Sequence, residues 1–212
     1  MEKTTDITTI VSKELINKSF DFARDVAEIG LDQFIKEGFL RDIPLVNMVA
    51  AFYNVTSSIV NRNNARKILV FFQEFNSGKI DDNKFNKFAH KMKTDNDYRT
   101  EVVETIILLN ERFLKTEKSK ILANLVVAHI NAHLTWAEFS DLTYVLDNIH
   151  PKCYFLLKEM SNEPHWRSTI ISDAPAEALI IAAGIGHRKD NNFIIVELGQ
   201  KLYQLGIKPA NL

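Results

Sequence analysis

The chain is poor in cysteine, glycine and proline. Cys153 is the single cysteine among 212 residues, which excludes an intrachain disulfide framework and fits a reducing compartment. The 7 glycines and 5 prolines fall mostly after residue 150, so the middle of the chain has few helix breakers. Neither sign of charge is in excess, because 26 Lys and Arg accompany 27 Asp and Glu. This balance argues against a dedicated nucleic-acid binder, whose domain carries a concentrated basic excess.

The N-terminus also lacks a secretion signal, because its first 15 residues have neither a basic start nor a continuous apolar run. We therefore expect a cytoplasmic protein. Residues 43–61 carry no charge over 19 positions, and a membrane span needs about 20 predominantly apolar residues. Pro44, Asn47, Asn54 and three hydroxyl residues dilute this run. The favoured interpretation is a buried core helix with Pro44 in its first turn, and a membrane-active segment is the alternative.

The spacings that mark a catalytic centre are missing as well. There is no G-x-S-x-G elbow, and the close pair Gly184 and Gly186 lacks the preceding strand and following helix of a phosphate-binding loop. Cys153 lies in the apolar sequence PKCYFLL, which predicts a buried, unreactive thiol. We therefore predict no catalytic residue, no cofactor and no enzymatic activity.

Two histidines have a spacing that metal sites use. His129 and His133 are four residues apart on a predicted helix, so their imidazoles could share one ion. The next ligands, His150 and Cys153, follow a second, antiparallel helix, whose length of about 14 residues places His150 roughly 20 Å away. We therefore predict no metal site, and His129 and His133 are the only candidates for one.

What the chain does contain is a faint internal repeat. Residues 67–88 (KILVFFQEFNSGKIDDNKFNKF) are echoed by residues 120–142 (KILANLVVAHINAHLTWAEFSDL). Each copy reads as an apolar helix, a short polar turn and a second helix. The repeat predicts paired helical hairpins on a common core, a fold with no obvious pocket.

Local signals place the helix ends. The sequence Asn76-Ser77-Gly78 predicts a helix stop, and Asp81 or Asp82 caps the helix that follows. Thr135 with Glu138 three residues later has the pattern of a capping box. Residues 101–115 are apolar over more than half of the circumference, which predicts the central helix.

The two ends of the chain differ from this middle. Val11, Leu15, Phe22, Val26 and Ile29 recur at helical spacing within residues 6–36. They predict amphipathic helices that lie on the core, with a homo-oligomerisation arm as the alternative.

After a predicted boundary near His150, glycine and proline become frequent. This tail reads as a helix over 174–183, a turn over 189–192, a strand over 193–196 and a helix over 197–205.

Residues 174–206 resemble the end of a winged-helix domain. The matching parts are the turn at 183–185, the hairpin wing at 193–196 and the closing helix that begins Glu197-Leu198-Gly199. The resemblance implies that the wing tip, His187, Arg188 and Lys189, could contact phosphate. The preceding helix offers only Glu177 among Ala, Leu and Ile, so we expect it to be buried and to serve packing or protein contacts.

The repeat itself resembles the TerB-like helical family over residues 66–149. The residues that carry the resemblance are Lys120-Ile121-Leu122, Ala128 and residues 135–139. It implies a helical fold. The acidic metal-binding turn of that family is missing, since residues 77–82 (SGKIDD) hold too few ligands, so no ion binding is implied.

Together these patterns predict a mainly α fold in three parts. Residues 1–40 form N-terminal amphipathic helices, residues 41–150 a helical bundle of paired hairpins, and residues 151–212 a small C-terminal α+β, winged-helix-like module with one β-hairpin. The predicted function is a non-enzymatic protein–protein interaction module that acts as adaptor, inhibitor or regulator. We expect a protein partner, and neither nucleic acid nor a membrane.

The setting and the alternatives follow from weaker signals. The 18 Asn and 18 Lys against 8 Arg are a bias associated with AT-rich bacterial or phage genomes, so bacteria–phage conflict is the hypothetical context. One alternative is a winged-helix-type transcription regulator. Another is a membrane-active effector that acts through residues 43–61.

Overall fold

The structure, a computed structural model, describes residues 6–17, 44–54 and 58–212. Within these ranges the chain forms ten α-helices and one three-stranded antiparallel sheet near the C-terminus. The predicted mainly α fold with a small C-terminal α+β module is therefore confirmed. The first seven helices are α1 (Ile7–Asn17), α2 (Pro44–Tyr53), α3 (Ile59–Ser77), α4 (Asp82–Thr94), α5 (Asn96–Arg112), α6 (Thr116–Ile130) and α7 (Trp136–Asn148).

The predicted helix starts and stops agree with these bounds. Helix α3 ends at Ser77 with Gly78 as its cap, and the Asp81 carboxylate accepts a hydrogen bond from the backbone N–H of Lys84. Thr135 and Glu138 form the reciprocal hydrogen bonds of the capping box. Each cap satisfies backbone N–H groups that the first turn of a helix leaves without partners.

Helix α6 lies at the centre of the bundle. It packs on α3, α7 and the C-terminal end of the chain, and Ile121, Leu122 and Leu125 have no exposed surface. The prediction that residues 101–115 form the central helix is wrong in this respect. Helix α5 packs on α1, α3, α4 and α7 at one side of α6, and its apolar Leu108 remains 58% exposed.

Both copies of the repeat fold as a helix, a turn and a helix, but they pack differently. Helix α7 returns along α6, whereas α4 turns away from α3 and packs on α5, α1 and α6. The two turns meet, because the Asn131 side chain accepts from the Asp81 N–H at 3.0 Å and donates to the Lys79 carbonyl at 2.9 Å. The repeat therefore brings its two connections to one end of the bundle.

The uncharged segment 43–61 is not one helix. Helix α2 begins at Pro44, as predicted, and buries Leu45, Val46 and Val49. It stops at Tyr53, and Asn54 has a φ of 46°, a left-handed conformation that ends a helix. Ile59 begins a new helix and is 81% exposed. No helix in the described ranges is long and apolar enough to cross a membrane.

The start of the predicted amphipathic region lies on the core. Val11 and Leu15 of α1 are fully buried, where α1 packs on α2, α4 and α5. These two residues therefore pack inside this chain and are not exposed for contact with a second copy. Phe22, Val26 and Ile29, the other members of the predicted stripe, lie outside the described residues.

The C-terminal part contains more strand than was predicted. Its elements are α8 (Cys153–Met160), a short 3-10 helix (Pro164–Trp166), β1 (Arg167–Ser168), α9 (Ala174–Ala182), β2 (Gly186–Lys189), β3 (Asn192–Ile195), α10 (Glu197–Lys201) and a π-helix (Leu202–Ile207). The strand order is β1-β3-β2, all antiparallel. Asp190 and Asn191, with φ of 48° and 65°, form the two-residue turn of the predicted hairpin. Strand β1 was not predicted, because two residues are too few to show an alternating pattern.

The chain end returns to the bundle. The π-helix packs on α6, where a Cβ at Gly206 would lie 2.8 Å from the Ile121 Cγ2. One continuous hydrophobic cluster extends from Ile7 to Ala210 and so crosses the predicted boundary near His150. The division of the chain into a bundle over 41–150 and a module over 151–212 stays a prediction.

Candidate functional site

Helices α8 and α9 form one surface whose geometry is held by polar contacts. The Lys152 ammonium lies 3.4 Å from the Asp173 carboxylate, and the Ser172 hydroxyl donates to Glu159 at 2.6 Å. Lys152, Phe155 and Glu159 share one face of a helix, because they are three and four residues apart. Phe155 therefore lies between the two contacts that join α8 to the segment before α9, and it is 63% exposed.

Helix α9 is covered on one side only. It buries Ala176, Glu177 and Ile180, whereas Leu179 and Ile181 are 37% and 42% exposed. The prediction that this helix is buried is therefore wrong for half of its circumference. No element in the described ranges covers the side that also carries Ala174, Pro175, Ala178 and Ala182.

Leu179 lies on the helix that packs against α8. It follows Ala176 by three residues, and the Ala176 carbonyl faces the thiol of Cys153 in α8 at 3.9 Å. Ile170, in the segment between β1 and α9, is 83% exposed. We use the name α8–α9 surface for the exposed sides of α8, of α9 and of the segment before α9, which carry Phe155, Leu179 and Ile170.

The predicted wing-tip cations do not act together. Arg188 donates to the Glu177 carboxylate from Nε at 2.5 Å and from Nη2 at 2.9 Å. These hydrogen bonds raise the pKa of Arg188 above its usual value. The pair ties β2 to α9 and occupies the guanidinium, so Arg188 is a positioning residue for α9 and not an open phosphate contact.

His187 lies on the opposite, solvent-facing side of the sheet. It is paired with Ile194, which is also paired with Arg167 of β1, and directly opposed residues share a face. Lys189, two residues after His187, projects to the same side. Arg167 was missed in the sequence because β1 itself was not recognised.

Cys153 is buried, as predicted. Its side chain has no exposed surface, and desolvation raises the pKa of its thiol to about 11. Since the thiolate is the reactive form, this cysteine has neither the access nor the ionisation of a nucleophile.

The two candidate metal ligands point to different surroundings. One ring nitrogen of His129 lies 2.8 Å from the Tyr98 hydroxyl and the other 3.0 Å from the Leu134 carbonyl. Burial lowers the pKa of His129, while His133 is exposed. In the described ranges no group of three or more His, Cys, Asp and Glu residues is placed to hold a metal ion.

The expectation of a fold without pockets is wrong. A cleft of about 650 Å³ lies between α1 and the junction of α4 and α5. A second, of about 410 Å³, lies where the two turns of the repeat meet the C-terminal segment. Both volumes are in the range of small-molecule sites, about 300–1,000 Å³.

Comparison with protein-family models, curated proteins and solved structures gives no significant match. The resemblances to winged-helix and TerB-like proteins therefore stay predictions.

Proposed function

We propose that the protein is a non-enzymatic interaction module that binds a partner protein through the α8–α9 surface. The exposure of Phe155, Ile170 and Leu179, on two helices that pack together and on the segment before the second helix, carries this proposal. Contiguous exposed apolar surface marks interaction sites, so we expect a partner to cover these three side chains together. Action as an adaptor, inhibitor or regulator, in a bacterial or phage-infected cytoplasm, belongs to the same proposal.

The chemistry of α9 favours protein over nucleic acid. Base edges and phosphates are recognised by side chains that donate or accept hydrogen bonds. The uncovered side of α9 presents Ala, Pro, Leu and Ile, and Glu177 is buried against Arg188. Aromatic and aliphatic side chains instead match the apolar anchors of a protein partner.

The charges around Phe155 favour a partner with acidic side chains. Lys152 and Lys158 lie three residues before and after it on the exposed side of α8. We expect an amphipathic partner segment whose carboxylates flank its apolar residues, because such a segment would pair with Lys158 and with the accessible part of Lys152, which also contacts Asp173.

The test begins with a partner purified by affinity to the protein and identified by mass spectrometry. Its binding to wild type and to Phe155→Glu is then measured by calorimetry. A buried aromatic anchor contributes about 2 kcal/mol or more, so we expect at least about 30-fold weaker binding. Leu114→Glu is the matched control, since Leu114 is 89% exposed at the α5–α6 junction.

The outcomes are distinct if both variants keep the circular dichroism spectrum of the wild type. Loss of binding in Phe155→Glu alone supports the α8–α9 surface. Equal binding by all three proteins would place the interface elsewhere, and substrate turnover by the purified protein would remove the non-enzymatic proposal.

A winged-helix-type regulator is the second candidate. The row of Arg167, Ile194 and His187 on the outer sheet face, with Lys189 beside it, supports contact with phosphate. A gel shift on random genomic fragments at about 150 mM salt tests it. Sequence-selective binding that Arg167→Gln weakens would favour this candidate over the first.

A further inference from the structure

The cleft between α1 and the α4–α5 junction is lined by more positive than negative side chains. Three cationic side chains and one carboxylate line it, although the whole chain has a net charge of −1. Lys13 comes from α1, Lys93 from the last turn of α4, and Arg99 from the start of α5. Three separate elements therefore bring positive charge to one cavity.

No described carboxylate pairs with Lys13 or Lys93. Like charges that line one cleft repel one another over distances shorter than the screening length in physiological salt, about 8 Å. An anion between them would remove this repulsion and add charge-assisted hydrogen bonds.

Arg99, one of the residues that line the cleft, is held in place by two hydrogen bonds. Its Nη1 donates to the Met92 carbonyl at 3.2 Å, and its Nη2 donates to the Asn96 side chain. A guanidinium has further N–H donors besides these two. Because its position is already fixed, it can bind a phosphate or carboxylate with little loss of side-chain entropy.

The remaining lining offers contacts that a bare anion would not use. Thr8, Ser12 and Thr100 offer hydroxyl groups, and Ile16, Met92 and Val103 form apolar walls. Glu104 can accept hydrogen bonds from a ligand hydroxyl or amino group. The volume of about 650 Å³ exceeds what an inorganic ion needs and suits a molecule of nucleotide size.

We propose that this cleft binds a small organic phosphate whose body is partly apolar and carries hydroxyl or amino groups. The phosphate would lie among Lys13, Lys93 and Arg99, and the body along Met92 and Val103 towards Glu104. This site does not depend on the α8–α9 surface, whose residues come from other elements.

Calorimetry of the full chain with adenosine monophosphate, adenosine and inorganic phosphate tests the proposal. We expect the monophosphate to bind at least about tenfold more tightly than either of the others, because only it contacts both parts of the cleft. Its affinity should fall as salt is raised from about 50 to 300 mM.

Two variants locate the site. Lys93→Gln should weaken monophosphate binding about fivefold, the upper range for an exposed charge pair. Lys87→Gln is the matched control, because Lys87 is exposed on the same helix and outside the cleft. It should leave binding unchanged.

Three results would overturn the proposal. One is no binding of the monophosphate at millimolar concentration by folded wild type. The second is equal affinity for inorganic phosphate, which would remove the organic body from the site. The third is an equal loss in Lys87→Gln and Lys93→Gln, which would indicate general surface attraction.

Discussion

Replacement of Lys67 by methionine tests how α3 and α5 are joined. Lys67 is 1% exposed, and its ammonium donates to the Glu111 carbonyl at 2.9 Å and to the Phe113 carbonyl at 2.8 Å. Both carbonyls lie at the C-terminal end of α5, where backbone acceptors have no partner within the helix. The lysine therefore acts as a cap supplied by a neighbouring helix, at the negative end of the helix dipole.

Two opposing effects determine how much stability Lys67→Met loses. Hydrogen bonds to a charged group are worth about 1.5–3 kcal/mol each, and the variant removes two of them. The Phe113 contact is buried, whereas Glu111 is exposed and its carbonyl can turn to water. Burying an ammonium costs several kcal/mol, which the variant recovers in part. We expect the variant to lose about 2–4 kcal/mol of unfolding free energy in total.

Chemical denaturation followed by circular dichroism measures this loss as a free energy, and thermal denaturation measures it as a melting temperature. For a chain of this size 1 kcal/mol lowers the melting temperature by about 2–4 °C, so Lys67→Met should melt roughly 4–16 °C below the wild type. Lys87→Met, on the exposed side of α4, is the control. A Lys67→Met protein as stable as the wild type would show that desolvation cancels the two hydrogen bonds, and the capping argument would fail.

The stability of Lys67→Met should also depend on pH differently from that of the wild type. Burial lowers the pKa of Lys67 below its usual 10.5, against the opposite effect of Glu111. Above the folded pKa and below 10.5, the unfolded chain binds the proton that the folded chain has released. Wild-type stability should therefore rise with pH in this interval relative to Lys67→Met.

Two further predictions concern the C-terminal part. Gly199→Ala should cost about 1–3 kcal/mol, because its Cβ would lie 2.8 Å from the Ile185 carbonyl oxygen; an unchanged denaturation midpoint would contradict that contact. Lys201→Met should reduce the decrease in the free energy of unfolding at acid pH. Hydrogen bonds from Lys201 and Thr135 hold the pKa of Glu138 at about 2 against 4.5, so their contribution is complete above about pH 4.5 and is lost as the pH falls towards 2. Midpoints between about pH 2 and 6 should show a smaller decline in the variant than in the wild type.

The features that local chemistry decides could be predicted. Asp81 and Thr135 cap helices because their side-chain oxygens reach free N–H groups a few residues later. The hairpin turn at Asp190 and Asn191 was predicted because these residues tolerate positive φ. Each signal lies within a few residues of its effect.

Features that depend on distant partners could not be predicted. The sequence near Lys67 contains no signal that its ammonium will donate to carbonyls 44 and 46 residues away. Leu108 reads as core, and it is exposed because α6 takes the central position. Lys13, Lys93 and Arg99 each read as solvated surface residues, and only the packing of α1 on α4 and α5 brings them to one cleft.

Helix α9 has features decided by local sequence and features decided by distant partners. Its arrangement supports the proposed binding role. Glu177, its single charged residue, is 7% exposed, while Leu179 and Ile181 remain accessible. Solubility alone would favour the reverse, because full burial of an aliphatic side chain gains about 1.5–3 kcal/mol. Burial of Glu177 is tolerated because Arg188 neutralises it through two hydrogen bonds. That pair holds α9 with its apolar side facing outward. The proposed partner protein would need this orientation in order to cover that side.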